Sequence, residues 1–364
     1  MWPRGILLAV AGVAMLSGLA AGLVLIGVWD GGTVTSGTDH GALMIFGFVG
    51  GAIGLERTVA ARTRWAWAGP VANALGVATL LVGAPRPVPA ALFTVSFLVL
   101  GAVYVLIHHR QATLSVLVQA TGVIGGVLAT VTWGGGADFA DVMPYAVVFA
   151  VATIIGERME LARVSFAGTA AETLITTLVL ALTAAALIFA LHPQLGFFLM
   201  GALLTAIAVV TVRVDAARRL IHAGQLPRYT AACMLAGYAW LLVAGLLWMG
   251  GGHTRAGHLH DAAVHSIFLG FVISMIFAHA PFILGGVIRR TIPYHPALYL
   301  PVIVLHAGLA LRIVADLRQA TGPWQLGGVI TVVAILGFAL TGIVLIATDR
   351  NRRRKARERR LARV

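Results

Sequence analysis

The chain has 364 residues, of which 59% are apolar and 11% charged, and its mean hydropathy is +0.94. Soluble domains run at about 45–50% apolar and about 25% charged, so a soluble fold, a disordered chain, a coiled coil and a disulfide scaffold are all excluded. Cys233 is the single cysteine, which rules out an intrachain disulfide, a thiolate zinc site and a protein-held iron–sulfur cluster. The formal charge of +13 comes from 26 Lys and Arg against 13 Asp and Glu. The basic residues sit at the ends of apolar runs, which speaks for membrane topology and against nucleic-acid binding.

A membrane-spanning helix needs about 20 mostly apolar residues. Twelve such runs follow in chain order: 5–28, 40–57, 65–84, 88–107, 112–133, 139–156, 169–191, 195–214, 229–250, 260–281, 297–316 and 323–348. None shows the short alternating pattern of barrel strands, so the expected fold is an all-α, polytopic bundle of about twelve transmembrane helices. The first run is too long for a signal peptide and is read as the first span. Residues 1–348 form the transmembrane domain, and 349–364, DRNRRRKARERRLARV, form a basic tail suited to lipid headgroups.

With the N-terminus inside, 22 of the basic residues fall on the inner side. They include Arg57, Arg62, Arg64, Arg110, Arg158, Arg163, Arg213, Arg289, Arg290 and the tail. Only Arg86, Arg255, Arg312 and Arg318 fall outside. This asymmetry predicts both termini in the cytoplasm of a bacterial-type inner membrane, with lipid as the surrounding partner.

Ionisable residues inside a membrane are costly and mark functional positions. The chain has twelve His. His40 opens the second span in TDHGALMIFGFVG, and His265 lies in the tenth, in HLHDAAVHSIFLGFVISMIF. Both spans run from outside to inside, so the two imidazoles can share an outer-leaflet depth. A facing pair of imidazoles can hold a haem iron or a copper; a water-capped interfacial His is the bland alternative. His258 lies seven residues before His265, about 20° round the same helix face. With His260 and His253 it forms an outer group whose G-H-L-H spacing could load a metal, or merely belong to a flexible loop. His279, fourteen residues after His265 and about 21 Å along the axis, cannot share its metal; it is an inner-leaflet partner, a second site or, the favoured reading, a helix-end residue before Pro281. Arg312 could pair with carboxylates at the outer face or snorkel to the interface. His306, near mid-depth in the eleventh span, is a third cofactor contact or a buried hydrogen-bonded His.

A second cluster is acidic and basic. LERTVAAR follows the second span and GERMELAR the sixth, each with Glu-Arg at the helix end: Glu56–Arg57 and Glu157–Arg158. These pairs are expected to clamp the helix ends; a proton-uptake route continuing to Glu172 is the alternative.

The motifs bear a family likeness. HGALMIF at 40–46 resembles the second-span motif of subunit I of the haem–copper oxidases, and HSIFLGFVISMIFAHAPFILGG at 265–286 resembles their tenth span. The shorter NnrS proteins, associated with haem, copper and the nitric-oxide response, look closer still. The resemblance implies a bundle like subunit I of the oxidases, with His40 and His265 as axial ligands of one low-spin haem b. It also implies Arg312 as a propionate partner, His306 as a further contact, and copper as a second candidate metal at His40, His265, His258 and His260. The position of the oxidases' high-spin haem ligand is Ala263 here, and the sixth and seventh spans carry no His. The dinuclear oxygen-reducing centre is therefore absent from the motifs, and whether the chain is an enzyme stays open. The implied role is nitric-oxide tolerance, or redox service to a haem or copper respiratory enzyme. A cofactor-free secondary transporter or channel, and a non-catalytic assembly subunit of a respiratory complex, are the competing readings; no convincing repeat relates the two halves as in many transporters.

Overall fold

The computed structural model describes residues 2–30, 37–288 and 291–361. Arg289 and Arg290, assigned above to an inner loop, lie outside the described residues, as do the side chains of 351–364. The described chain is all-α, and eleven of its helices are long and apolar enough to cross a membrane. In chain order the helices are α1 (Trp2–Leu25), α2 (Gly37–Ala61), α3 (Trp65–Leu81), α4 (Pro87–Arg110), α5 (Leu114–Gly134) and α6 (Phe139–Leu161). Then come α7 (Ala170–Leu191), α8 (Pro193–Val214), α9 (Gln225–Gly251), α10 (His258–Gly285), α11 (Pro296–Leu317) and α12 (Thr321–Leu361). The chain is a multi-pass membrane protein.

The third expected span is the short one. A helical turn at Trp65–Trp67 precedes Ala68–Leu81, and the whole falls below the length of the other eleven. It still carries the chain back across the bundle. The Arg110 guanidinium at the end of α4 donates to the Ala61 carbonyl at the end of α2, so α2 and α4 finish side by side and α3 must run between them in the opposite sense. The last helix continues without a break through the start of the basic tail.

Sequence-local chemistry sets the ends. Thr113 and Thr169 accept from the backbone N–H of Val116 and Glu172, as N-cap hydroxyls do. Pro87 and Pro193 open α4 and α8, where no intrahelical N–H is needed. Gly252 and Gly257, with φ of 62° and 83°, turn the loop between α9 and α10 through a region that costs other residues strain.

Packing follows the distribution of small and large side chains. Gly201 on α8 faces Gly245 on α9, and a Cβ on either would stand 2.7 Å from the other's carbonyl oxygen. Such small–small contacts replace the hydrophobic drive that lipid cannot supply. Leu16, Leu98, Val105, Leu340 and Ile343 are exposed on the outside, a belt that suits acyl chains. The most enclosed helices among the described ones are α6, α2 and α10, every fourth in the chain. They form the centre of the bundle, and all three contribute to its main cavity.

Candidate cofactor site

The two histidines singled out from the sequence meet. Their ring centroids are 6.4 Å apart and their planes 25° from parallel. Each stands at the head of an unusual stretch of helix. His40 precedes a π-helical segment at Ala42–Gly50, and His265 precedes another at Ser266–Ile273. π-turns frequently accompany functional sites because the wider turn re-aims side chains and frees carbonyls. One such carbonyl, on Phe46, accepts from the buried Asn73 side chain at 2.8 Å.

Both imidazoles are oriented through the same nitrogen. His40 Nδ1 lies 2.7 Å from the Gly18 carbonyl of α1. His265 Nδ1 lies 2.9 Å from the Asp261 carbonyl and 3.1 Å from its carboxylate. With Nδ1–H donating, each ring offers Nε2 as a lone-pair donor. This is the arrangement in which an outer carbonyl or carboxylate fixes tautomer and aim for a metal-binding His. Gly22 makes room for His40, since a Cβ there would come within 3.0 Å of the imidazole.

Asp261, which the sequence did not single out, is the hub of the supporting shell. Its carboxylate accepts from Arg312 Nε at 2.7 Å, Arg312 Nη2 at 2.8 Å and Trp324 Nε1 at 2.9 Å. A bidentate guanidinium–carboxylate pair of this kind is both strong and directional. The signal was available: Asp261 and His265 are four residues apart, which puts them on one helix face.

A cavity of about 520 Å³ opens on the pair, within the range of about 300–1,000 Å³ typical of small-molecule and cofactor sites. Its wall is mostly apolar, with Met44, Ile45, Phe139, Met143 and Phe268 among the lining residues. His40, His265, His258, His260, Asp261, Arg312 and Trp324 supply the polar part. Two imidazoles binding one ion at about 2.0–2.1 Å each put their ring centres roughly 6 Å apart, close to the separation found. The donor set, the separation and the cavity size fit a haem.

The other expected ligands have their own partners. His258 Nδ1 lies 3.0 Å from Asp316 Oδ1, and His260 Nδ1 lies 2.9 Å from the Thr254 carbonyl. Among the described residues, no three His, Cys, Asp or Glu side chains converge on a metal-binding position, so His40 and His265 stand as a pair. Arg312 lines the cavity, but two of its nitrogens are engaged by Asp261, and Nη1 lies beside Gly328. His306 is elsewhere: its Nδ1 accepts from Trp240 Nε1 at 3.0 Å, and it is not part of the cavity wall.

The inner-side cluster differs in pairing from what the Glu-Arg motifs led us to expect. Arg57 does contact Glu56, at 3.5 Å, but its shorter contact is to Glu160 at 2.9 Å. Arg158 pairs with Asp215, not with Glu157, because Asp215 is fully enclosed and presents both oxygens. Tyr238 also donates to Asp215, at 2.7 Å. His279 is no simple helix end. It is buried, its Nδ1 lies 2.7 Å from the Met275 carbonyl, and its Nε2 meets Arg158 at 3.2 Å. Glu172 accepts from the Gly168 N–H at the exposed start of α7, a capping role.

Comparison with curated proteins and with solved structures gave no match. The family model described as Domain of unknown function (DUF8744) matches residues 4–347, and the chain belongs to that family.

Proposed function

We propose that the chain is a membrane haem protein that holds one haem b between His40 and His265. The observation carrying this reading is the pair itself: two imidazoles 6.4 Å apart, each anchored through Nδ1, at the wall of a large apolar cavity. Haem iron bound there supplies a one-electron redox couple. The protein's part is to fix both ring planes, to exclude water with the α2, α6 and α10 side chains, and to raise the basicity of His265 through Asp261. Arg312 Nη1 is the group nearest to hand for an anionic substituent. With both His40 and His265 holding the iron, electron transfer would suit the site better than binding of oxygen or nitric oxide. Service to a respiratory or nitric-oxide-responsive partner in a bacterial-type inner membrane, with both termini cytoplasmic, follows from the family likeness and the basic-residue asymmetry.

Copper between the same imidazoles is the second reading. The Met44 and Met143 thioethers line the cavity, and soft sulfur with imidazole selects copper. A lone ion leaves most of a 520 Å³ cavity unfilled, which favours the macrocycle. A pyridine haemochrome assay with metal analysis on the purified full chain separates the two. About one haem per chain supports the first reading; copper without haem supports the second; neither, in folded protein expressed with haem supplied, removes both.

A further inference from the structure

Gly54 on α2 is buried, yet a Cβ added to it would meet nothing within 4 Å. The other glycines with as much room lie in loops or on exposed or half-exposed helix faces. Protein interiors leave few voids as large as a water molecule, so a methyl-sized space at this point calls for a cause. Gly54 follows His40 by fourteen residues, about 21 Å along a helix, and it is not part of the cavity wall beside that histidine. Arg57, one turn further along the same helix face, is buried as well.

Around Arg57, several buried polar atoms have no hydrogen-bond partner among the described residues. Arg57 Nη1 donates to Glu160 Oε2 at 2.9 Å, but Nε faces Glu56 at 3.5 Å without a hydrogen bond. Gln119 Nε2 donates to the same Glu160 oxygen at 2.9 Å, and Gln119 Oε1 is left unpaired. The Tyr104 hydroxyl is unpaired and lies within electrostatic range of Arg57. Thr153 Oγ1 is unpaired on α6, one turn before Gly156, against which Gln119 packs. The set is mixed: Arg57 Nε–H only donates, Gln119 Oε1 only accepts, and the two hydroxyls do either. An anion would satisfy the donors and strand the Gln119 carbonyl, and a metal cation would be repelled by Arg57. Water both donates and accepts, and a buried water typically bridges about three such groups.

We propose that the space among Gly54, Arg57, Tyr104, Gln119 and Thr153 is a water-binding site, a hydrated pocket inside the bundle that keeps the Arg57 charge solvated. Ionisable side chains within membranes commonly face such water-filled spaces. The pocket opens where the Glu160 and Glu56 side chains are 40% and 24% exposed. Toward His40 and His265 it is closed by aromatic rings. Phe149, one turn before Thr153, packs on Phe97 with 4.8 Å between centroids, and Phe97 packs on Phe46 at 6.3 Å. The pocket is separate from any cofactor between the two histidines, and it is tested without one.

The test is hydroxyl-radical labelling by X-ray radiolysis of the purified full chain, with and without excess radical scavenger in the buffer, read by peptide mass spectrometry. A radical formed from a bound water attacks the side chain beside it, whereas the scavenger removes radicals from bulk water. Three tyrosines buried to 1% exposure or less serve as the comparison. Tyr229 and Tyr238 have bonded hydroxyls, to the Phe277 carbonyl and to Asp215; the Tyr104 hydroxyl does not. Tyr104 is expected to be labelled several-fold faster than the other two, and to stay so with scavenger present. Gly54→Leu, which fills the space, is expected to lose most of that label. Gly54→Ala, whose Cβ has room, is expected to lower it and serves where the leucine variant does not fold. Equal labelling of the three tyrosines, a Tyr104 label abolished by the scavenger, or one unchanged in the folded Gly54 variant overturns the proposal. Each result can be read whether or not the chain contains haem.

Discussion

His265 stands one helical turn after Asp261, and its Nδ1 lies 3.1 Å from that residue's carboxylate. The same carboxylate is gripped by Arg312 and Trp324 from α11 and α12, so the aim of one candidate ligand is set by three helices. Removing such a supporting group typically costs 10–100-fold in metal affinity. Asp261→Asn should therefore weaken haem retention by roughly that factor, measured by transfer of haem to an apo-globin acceptor. Haem retention equal to wild type would show that Asp261 does not orient the ligand.

His40→Ala and His265→Ala should each abolish a six-coordinate low-spin spectrum. His306→Phe should leave the spectrum intact, because His306 is bonded to Trp240 and is not part of the cavity wall. Its cost is in stability, about 1–3 kcal/mol for the Trp240 indole N–H left unpaired, seen as a lower melting temperature in detergent. A lost haem band in His306→Phe with a normal melting temperature would place it at the cofactor after all.

Gly22 tests the seat of His40. An alanine Cβ there would stand 3.0 Å from both Cε1 and Nδ1 of the ring, pushing the imidazole off the Gly18 carbonyl. Gly22→Ala should broaden or shift the low-spin bands and weaken haem binding. Gly12→Ala on the same helix meets nothing within 4 Å and should match wild type. Identical spectra for both variants would mean that the α1 backbone does not position His40.

The Arg158–Asp215 pair is enclosed, and Tyr238, His279 and the Ala217 N–H complete it. Breaking one side of such a pair strands a buried charge and costs about 3–5 kcal/mol. Asp215→Ala should fall in this range by chemical or thermal unfolding in detergent. The double change Arg158→Met/Asp215→Leu should be milder, since no lone charge is left. A double variant worse than Asp215→Ala would show that the pair contributes net stability.

Composition and span length made the all-α membrane fold legible, because lipid allows so few backbone solutions. His40 and His265 were legible for the same reason, being ionisable groups at matching depth on spans of the same direction. The π-helical turns after each were not, since no local residue pattern marks them. Asp261 was missed because its value comes from Arg312 and Trp324, which are 51 and 63 residues away. Of the two Glu-Arg motifs, Glu56–Arg57 forms the expected contact, but Glu157–Arg158 does not: Arg158 turns to Asp215 across 57 residues, a long-range choice that adjacent letters cannot encode. The third span was found but ends at Leu81 rather than at residue 84, since the helix stops at the Val82 cap and Gly83 takes a positive φ of 73°.

A haem between His40 and His265 is tested by a dithionite-reduced minus oxidised absorption spectrum of the purified full chain, with His40→Ala beside it. The wild type is expected to show a sharp low-spin α band and the variant to lose it. A featureless wild-type spectrum from well-folded, haem-supplied protein, or an α band that survives in His40→Ala, would contradict it.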